Sequence, residues 1–92
     1  MNTLTDHDYE TIRRCAVTDR RYHTFVEVEL GELIDNDLEG FLDLISTRAV
    51  GNGMLSDISW SLVDFKRPGD DTIILDVSGD VSAVVALWEA SR

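Results

Sequence analysis

Histidine and cysteine are the residues of this sequence best suited to metal binding or nucleophilic chemistry, and the chain has two of the first and one of the second. His7 lies between Asp6 and Asp8, and an imidazole with two carboxylates can ligate a metal ion. Cys15 follows two arginines, and neighbouring cations favour the reactive thiolate. His23 falls on the outward side of a predicted strand, where a solvated side chain is the simpler interpretation. We predict no metal site and no catalytic residue from these three positions.

Residues 35–40 (DNDLEG) form the most motif-like string in the chain. The string resembles the first half of an EF-hand calcium loop, with oxygen-bearing side chains at loop positions 1, 3 and 5 and a glycine at position 6. The resemblance covers six residues, and Ser46 stands where the family has a bidentate Glu. An apolar stripe from Leu38 to Ala49 predicts that these residues are helical. We therefore expect an acidic, capped helix start here, with no calcium and no other cofactor.

An enzyme is not expected. The chain has no nucleophile elbow, no glycine-rich phosphate loop and no Ser/His/Asp order typical of a hydrolase. The adjacent acids Asp70 and Asp71 follow Pro68-Gly69 and fit ordinary turn chemistry.

The excess of acidic over basic residues limits the kinds of partner that the chain can bind. The 92 residues include 18 Asp and Glu against 8 Lys and Arg, a net charge of −10. This excess disfavours direct binding to nucleic acid or to an anionic membrane, because both are held by basic clusters. The longest apolar run, 83–88, is too short to span a bilayer, and the acidic start has no apolar core typical of a signal peptide. With a single cysteine, these features predict a cytoplasmic protein with a basic partner.

The acids are unevenly distributed. Between Tyr22 and Thr47 there are seven acids and no Lys or Arg. We predict that this stretch forms a partner-binding surface, with exposed Phe25 as an apolar anchor at its edge. Its acidic members are Glu27, Glu29, Glu32, Asp35, Asp37, Glu39 and Asp43. The four arginines at positions 13, 14, 20 and 21 form the opposite cluster, which is either a second contact surface or a means of neutralising nearby acids.

In size and charge the chain is similar to phage-encoded anti-restriction and anti-CRISPR proteins and to immunity proteins that block nuclease toxins. The similarity implies an inhibitor that occludes a basic, nucleic-acid-binding surface of another protein, and the phage class is preferred. An immunity protein against a nuclease toxin is the first alternative. The second is a structural homo-oligomer, most simply a homodimer, because a small chain gains core by pairing with itself.

Periodicity predicts the elements that must position these residues. Thr5 and Asp8 begin a helix over 5–17, and apolar alternation makes 22–30 a strand. Residues 31–35 are expected to be a connection. The next helix is predicted to begin at an Asn36 N-cap, with Gly40 as an unusual interior glycine, and to stop at residues 51–53.

Two later alternating stretches, around Trp60 and Leu75, predict an antiparallel hairpin through a Pro68-Gly69 turn, with an irregularity at residues 63–65. Asp80 is expected to cap a last helix. The order is (α)βαββα in one domain, 1–92, whose first 20 residues form a helix or a less ordered arm. The predicted fold is a two-layer α+β domain with helices on a three-stranded, largely antiparallel sheet.

Overall fold

The computed structural model describes residues 4–67, 69 and 71–91. Within these residues, four helices and three strands follow one another: α1 (Asp6–Thr18), β1 (Arg21–Glu29), α2 (Leu30–Asp35), α3 (Leu38–Val50), β2 (Ser56–Phe65), β3 (Thr72–Asp80) and α4 (Ser82–Ala90). The α+β class and the predicted order are confirmed, with α2 as an additional short helix. The predicted turn at Pro68-Gly69 includes Pro68, which lies outside the described residues.

The strands form one antiparallel sheet in the order β1-β3-β2. Along the central strand β3, buried residues alternate with half-buried ones, because one face meets the helices and the other does not. The core lies between that inner face and α1, α3 and α4. Its members are Ile12, Tyr22, Val26, Val28, Phe41, Ile45, Ala49, Val50, Leu55, Ile73, Leu75, Val77, Val81 and Val84.

The first helix begins where the sequence predicts. Thr5 Oγ1 accepts from the Asp8 N–H at 3.2 Å, and Asp8 accepts in return from the Thr5 N–H at 2.9 Å. That N–H bond lowers the pKa of the Asp8 carboxyl below its ordinary value. The reciprocal cap fixes where α1 starts, and the helix packs against α4 and β1.

Two predictions about the middle of the chain are wrong. Residues 31–35 are helical rather than a connection, because the Glu32 side chain accepts from the Glu29 N–H at 3.0 Å and closes a capping box that starts α2. Asp37, not Asn36, caps α3, and its Oδ1 accepts from the Gly40 N–H at 2.8 Å. The missing side chain at Gly40 gives this cap room, since a Cβ there would lie 2.9 Å from that same oxygen.

The hairpin of β2 and β3 is confirmed, and so is the irregularity near residue 63. The β2–β3 register shifts between Leu62 and Asp64. It also shifts between Ser56 and Ser59, where the sequence pattern does not predict an irregularity. Gly79 in β3 lies against the side chain of Leu55, whose Cγ would be 2.6 Å from a Cβ at that position. The two shifts leave a regular stretch of β2 between them.

The end of β3 leads directly into the last helix. Asp80 Oδ1 accepts from the Ser82 N–H at 2.8 Å, which lowers the pKa of the Asp80 carboxyl. Helix α4 then turns Val84 into the core, while Trp88 packs edge-on against Tyr9 of α1 at 4.8 Å between ring centroids. The predicted capping role of Asp80 is thus observed one residue before the N-cap position, which Val81 occupies.

Candidate functional site

The structure divides the seven predicted acids among different layers. Glu27 and Glu29, the sheet-side carboxylates, lie on the outer face of β1. Glu27 Oε2 accepts from Lys66 Nζ at 3.0 Å, and Glu29 Oε1 accepts from the Thr72 hydroxyl at 3.1 Å. Both acids therefore have partners within the chain.

The rest of the outer face is also mixed in charge. Arg21 Nη1 lies 3.1 Å from Asp57 Oδ2, and His23 Nε2 is within hydrogen-bond distance of Asp76. Phe25 is 58% exposed, and its ring meets His23 edge-on with 5.5 Å between centroids. Two cations of this face, Arg21 and Lys66, are thus each paired with an acid of the chain, Arg21 with Asp57 at the start of β2 and Lys66 with Glu27.

Glu32 is tied into the fold. Its two carboxylate oxygens accept from Arg48 Nη1 at 2.9 Å and Nη2 at 2.6 Å, and about a quarter of each side chain is exposed. The Arg48 hydrogen bonds lower the pKa of the Glu32 carboxyl, with a smaller contribution from the Glu29 N–H. The arginine that follows the acid-rich stretch is thus used to join α2 and α3.

The remaining four predicted acids, the helix-side carboxylates, follow one another from the end of α2 into α3: Asp35, Asp37, Glu39 and Asp43. All four are exposed. In the described part of the chain no ion pair includes any of them. One carboxylate oxygen of Asp37 accepts the hydrogen bond that caps α3. Glu39 and Asp43 lie one helical turn apart on the same side of α3.

Glu39 and Asp43 line an open cleft of about 340 Å³ between α3 and the start of β2. Asp57 faces them from β2. The other lining residues are Leu42, Gly53, Leu55 and Ile58. Asp43 fits tightly there, since its Oδ1 would lie 2.3 Å from a Cβ at position 53.

Asp57 is held in an unusual backbone conformation. Its φ of 50° is in the left-handed region, which costs free energy for a residue with a side chain, and it falls within the first register shift of β2. Its carboxylate pairs with Arg21, so Glu39 and Asp43 are the acids of the cleft that no described cation neutralises.

A cleft lined by both carboxylates and aliphatic side chains suits one chemistry in particular. Lys and Arg side chains combine an apolar stem with a cationic end, so the stem can lie along Leu42 and Ile58 while the charged end meets Glu39 and Asp43. The cleft can therefore receive a basic side chain from another protein. Sequence reasoning found Glu39 and Asp43 but missed Asp57, because only the folded chain brings β2 beside α3.

The arginine cluster near the N-terminus is largely engaged. Arg13 lies 3.7 Å from Glu89 and over the rings of Tyr9 and Trp88, and Arg14 lies 3.3 Å from Glu10. With Arg21 paired to Asp57, three of the four arginines serve to neutralise acids of this chain. Of the two interpretations left open by the sequence, these contacts favour neutralisation.

The calcium-like string folds as the end of α2 and the beginning of α3, so it does not form a twelve-residue loop. Within residues 4–67, 69 and 71–91, no group of three or more His, Cys, Asp or Glu side chains is arranged to hold a metal ion. The helices described in that same part of the chain are all too short or too polar to cross a bilayer.

No protein-family model matches this chain, and no curated protein and no solved structure matches it. The choice of candidate site therefore rests on the geometry of this chain alone.

Proposed function

We propose that this chain is a protein-binding inhibitor that uses its acidic surface to occlude a basic, nucleic-acid-binding surface of a partner protein. One observation carries the proposal: the helix-side carboxylates have no described cationic partner, whereas Glu27 is paired with Lys66 and Glu32 with Arg48. A negative surface of this kind speeds association with a basic partner and selects against acidic ones.

The contact is proposed to centre on the cleft. Glu39 and Asp43 would pair with Lys or Arg residues that otherwise hold phosphates, and the aliphatic residues that line the cleft would contact the stems of those residues. Asp35 and Asp37 extend the negative charge along the turn before α3. Inhibition would then be competitive, since one basic surface cannot hold a phosphate backbone and this chain together.

The proposed setting is the cytoplasm, where restriction and CRISPR effectors act. The class of partner decides between the two inhibitor alternatives. An effector of a defence system would make the chain an anti-restriction or anti-CRISPR protein, and a nuclease toxin would make it an immunity protein.

The test uses the tagged chain as bait in bacterial lysates that contain CRISPR, restriction and nuclease-toxin systems, washed in about 0.1 M and about 0.5 M salt with and without added nuclease. Each captured protein is then purified, and its binding to its own DNA or RNA is titrated against this chain. We expect capture that survives nuclease, weakens at the higher salt and competes with nucleic acid.

Variant design follows from the contacts. Glu29 and Asp37 take part in helix caps, so reversing their charge would damage the fold as well as the surface. Glu39→Gln with Asp43→Asn removes two charges from the cleft and leaves those caps intact. Asp19→Asn with Asp71→Asn removes two exposed charges elsewhere and serves as the matched control. Equal partner affinity of the two double variants would contradict the proposal.

A further inference from the structure

The edge strand β2 exposes a second surface. In the order β1-β3-β2 it has a neighbour on one side only, so half of its N–H and C=O groups point away from the sheet. Among the described residues, no backbone hydrogen bond reaches β2 on that side. The opposite edge is partly covered, since Arg48 Nη1 donates to the Glu27 carbonyl of β1 at 3.2 Å.

The same strand carries apolar side chains that are exposed to solvent. Five of its ten residues are apolar, and none is fully buried. Leu62 and Val63 are each 53% exposed and Phe65 is 49% exposed. An open edge with exposed apolar side chains favours pairing with another strand, and small proteins normally block such edges with charged residues, proline, bulges or a covering element. In β2 the charged residues and register shifts lie toward the ends of the strand. The regular part of β2 has none of these.

We propose that a second copy of this chain covers the edge, with the two β2 strands antiparallel and Trp60 on the two-fold axis. The register with β3 is unbroken over residues 59–62, and Trp60 is the middle residue of the uncharged segment 58–62 that contains this stretch. A two-fold axis presents the same surface from both copies, so this segment must complement itself.

Self-complementarity holds residue by residue in this register. Ile58 faces Leu62 of the second copy on the inner side, and Ser59 faces Ser61 of the second copy on the outer side. Each apolar residue meets an apolar one and each serine meets a serine, as stable cross-strand pairs require. The inner and outer faces also continue from one sheet to the next, because Trp60 pairs with buried Val77 and Ser61 with Asp76 of the outer face.

The alternation of apolar and polar residues selects this register. If the axis moved to lie between Trp60 and Ser61, Trp60 would stand opposite Ser61 and Ser59 opposite Leu62, so inner-face apolar side chains would be paired with outer-face serines. With Trp60 on the axis, the paired segment 58–62 contains no charged residue, which suits two copies of a chain with a net charge of −10.

The test is the mass of the purified chain in solution, measured by light scattering during size exclusion at about 100 μM and lower concentrations. One copy has a mass of 10.3 kDa, so the pair should have about 21 kDa. Because like net charges repel, raising the salt from about 0.05 to about 0.5 M should strengthen the pair. The proposed acidic contact with a basic partner weakens under the same change, so failure of one proposal is distinguishable from failure of the other.

Two variants test the register without touching the core, since Ser59 and Ser61 are exposed. In Ser59→Lys with Ser61→Lys, lysines face lysines across the axis, and we expect a mass near 10.3 kDa. In Ser59→Glu with Ser61→Lys, each new acid faces a new lysine, and the larger mass should be retained. Circular dichroism and the thermal midpoint establish that both variants are folded.

The remaining outcomes overturn the proposal. A wild-type chain with the single-copy mass at every concentration and salt would show that the edge stays open. An unchanged larger mass for the double-lysine variant would place the contact elsewhere. A single-copy mass for the Glu/Lys variant would refute the register centred on Trp60.

Discussion

Arg48 and Glu32 form a two-pronged ion pair that joins the last turn of α3 to α2, with N–O distances of 2.9 and 2.6 Å. Arg48 also donates to the Glu27 carbonyl at 3.2 Å, so one guanidinium links both helices to the edge of β1. The pair removes one acid from the predicted binding surface and gives it a structural role.

Arg48→Ala should therefore destabilise the fold by about 2 kcal/mol, because it leaves a partly buried carboxylate without its partner. The measurement is the free energy of unfolding in urea. Arg14→Ala is the control, since its pair with Glu10 is exposed and should contribute less than about 0.5 kcal/mol. Equal losses in the two variants would mean that the Arg48 contacts add nothing to the fold.

The same pair predicts a dependence of stability on pH. The pKa of Glu32 is lowered from its ordinary value of 4.5 in the folded chain, so the unfolded chain binds the proton more readily. Its contribution is complete above the ordinary value and is lost as the pH falls through the lower, folded value. The lowered pKa values of Asp8 and Asp80 act in the same direction.

We expect the wild-type free energy of unfolding to fall between about pH 5 and about pH 2, and to fall less steeply in Glu32→Gln. Thermal midpoints over this range provide the measurement. Arg48→Ala should show the same reduced slope, since Arg48 is the main cause of the lowered pKa. A Glu32→Gln slope equal to that of the wild type would contradict this account.

A side chain at position 79 should disturb the packing of β3 against Leu55 and the start of β2. A Cβ at this position would lie 2.6 Å from Leu55 Cγ and 2.9 Å from the Ser56 carbonyl, and the backbone oxygen cannot move aside without disturbing β2. Gly79→Ala should destabilise the fold by about 2 kcal/mol in urea denaturation. Gly31→Ala is the matched control: its Cβ would have only Asp35 Oδ2 nearby, at 3.9 Å, and alanine favours the helix. Similar losses at both positions would argue against the clash.

Local rules account for the elements that the sequence predicts correctly. Thr5 with Asp8 caps α1, alternation defines β1 and β3, and Gly51 ends α3 in the left-handed conformation. Each of these signals involves residues within a few positions of one another, where capping and side-chain periodicity decide the conformation.

The errors arise where two local signals compete. Residues 31–35 contain a glycine and acids, which favour a loop, yet Glu32 caps α2 from within and Leu33 packs against the core. Asn36 and Asp37 are both good N-caps, but the Asn36 side chain donates to the Glu32 carbonyl and Asp37 accepts from the Gly40 N–H. The division of the acids into paired and unpaired sets lay beyond sequence reasoning, because Lys66 reaches Glu27 across 39 positions of the chain.

Because the predicted acids lie on two different surfaces, either the outer face of the sheet or the helix side can contact the partner, and the cleft on the helix side is the proposed contact. The sequence groups Phe25 and Glu27 with Glu39 and Asp43, but the first two lie on the outer sheet face and the last two on the helix side. Because Glu27 is already paired with Lys66, Phe25→Ser with Glu27→Gln should change partner affinity less than threefold. Glu39→Gln with Asp43→Asn should weaken it at least tenfold, which corresponds to about 1.4 kcal/mol. Titration calorimetry with the captured partner measures both. A larger loss for the Phe25 and Glu27 variant would move the binding surface from the cleft to the open face of the sheet.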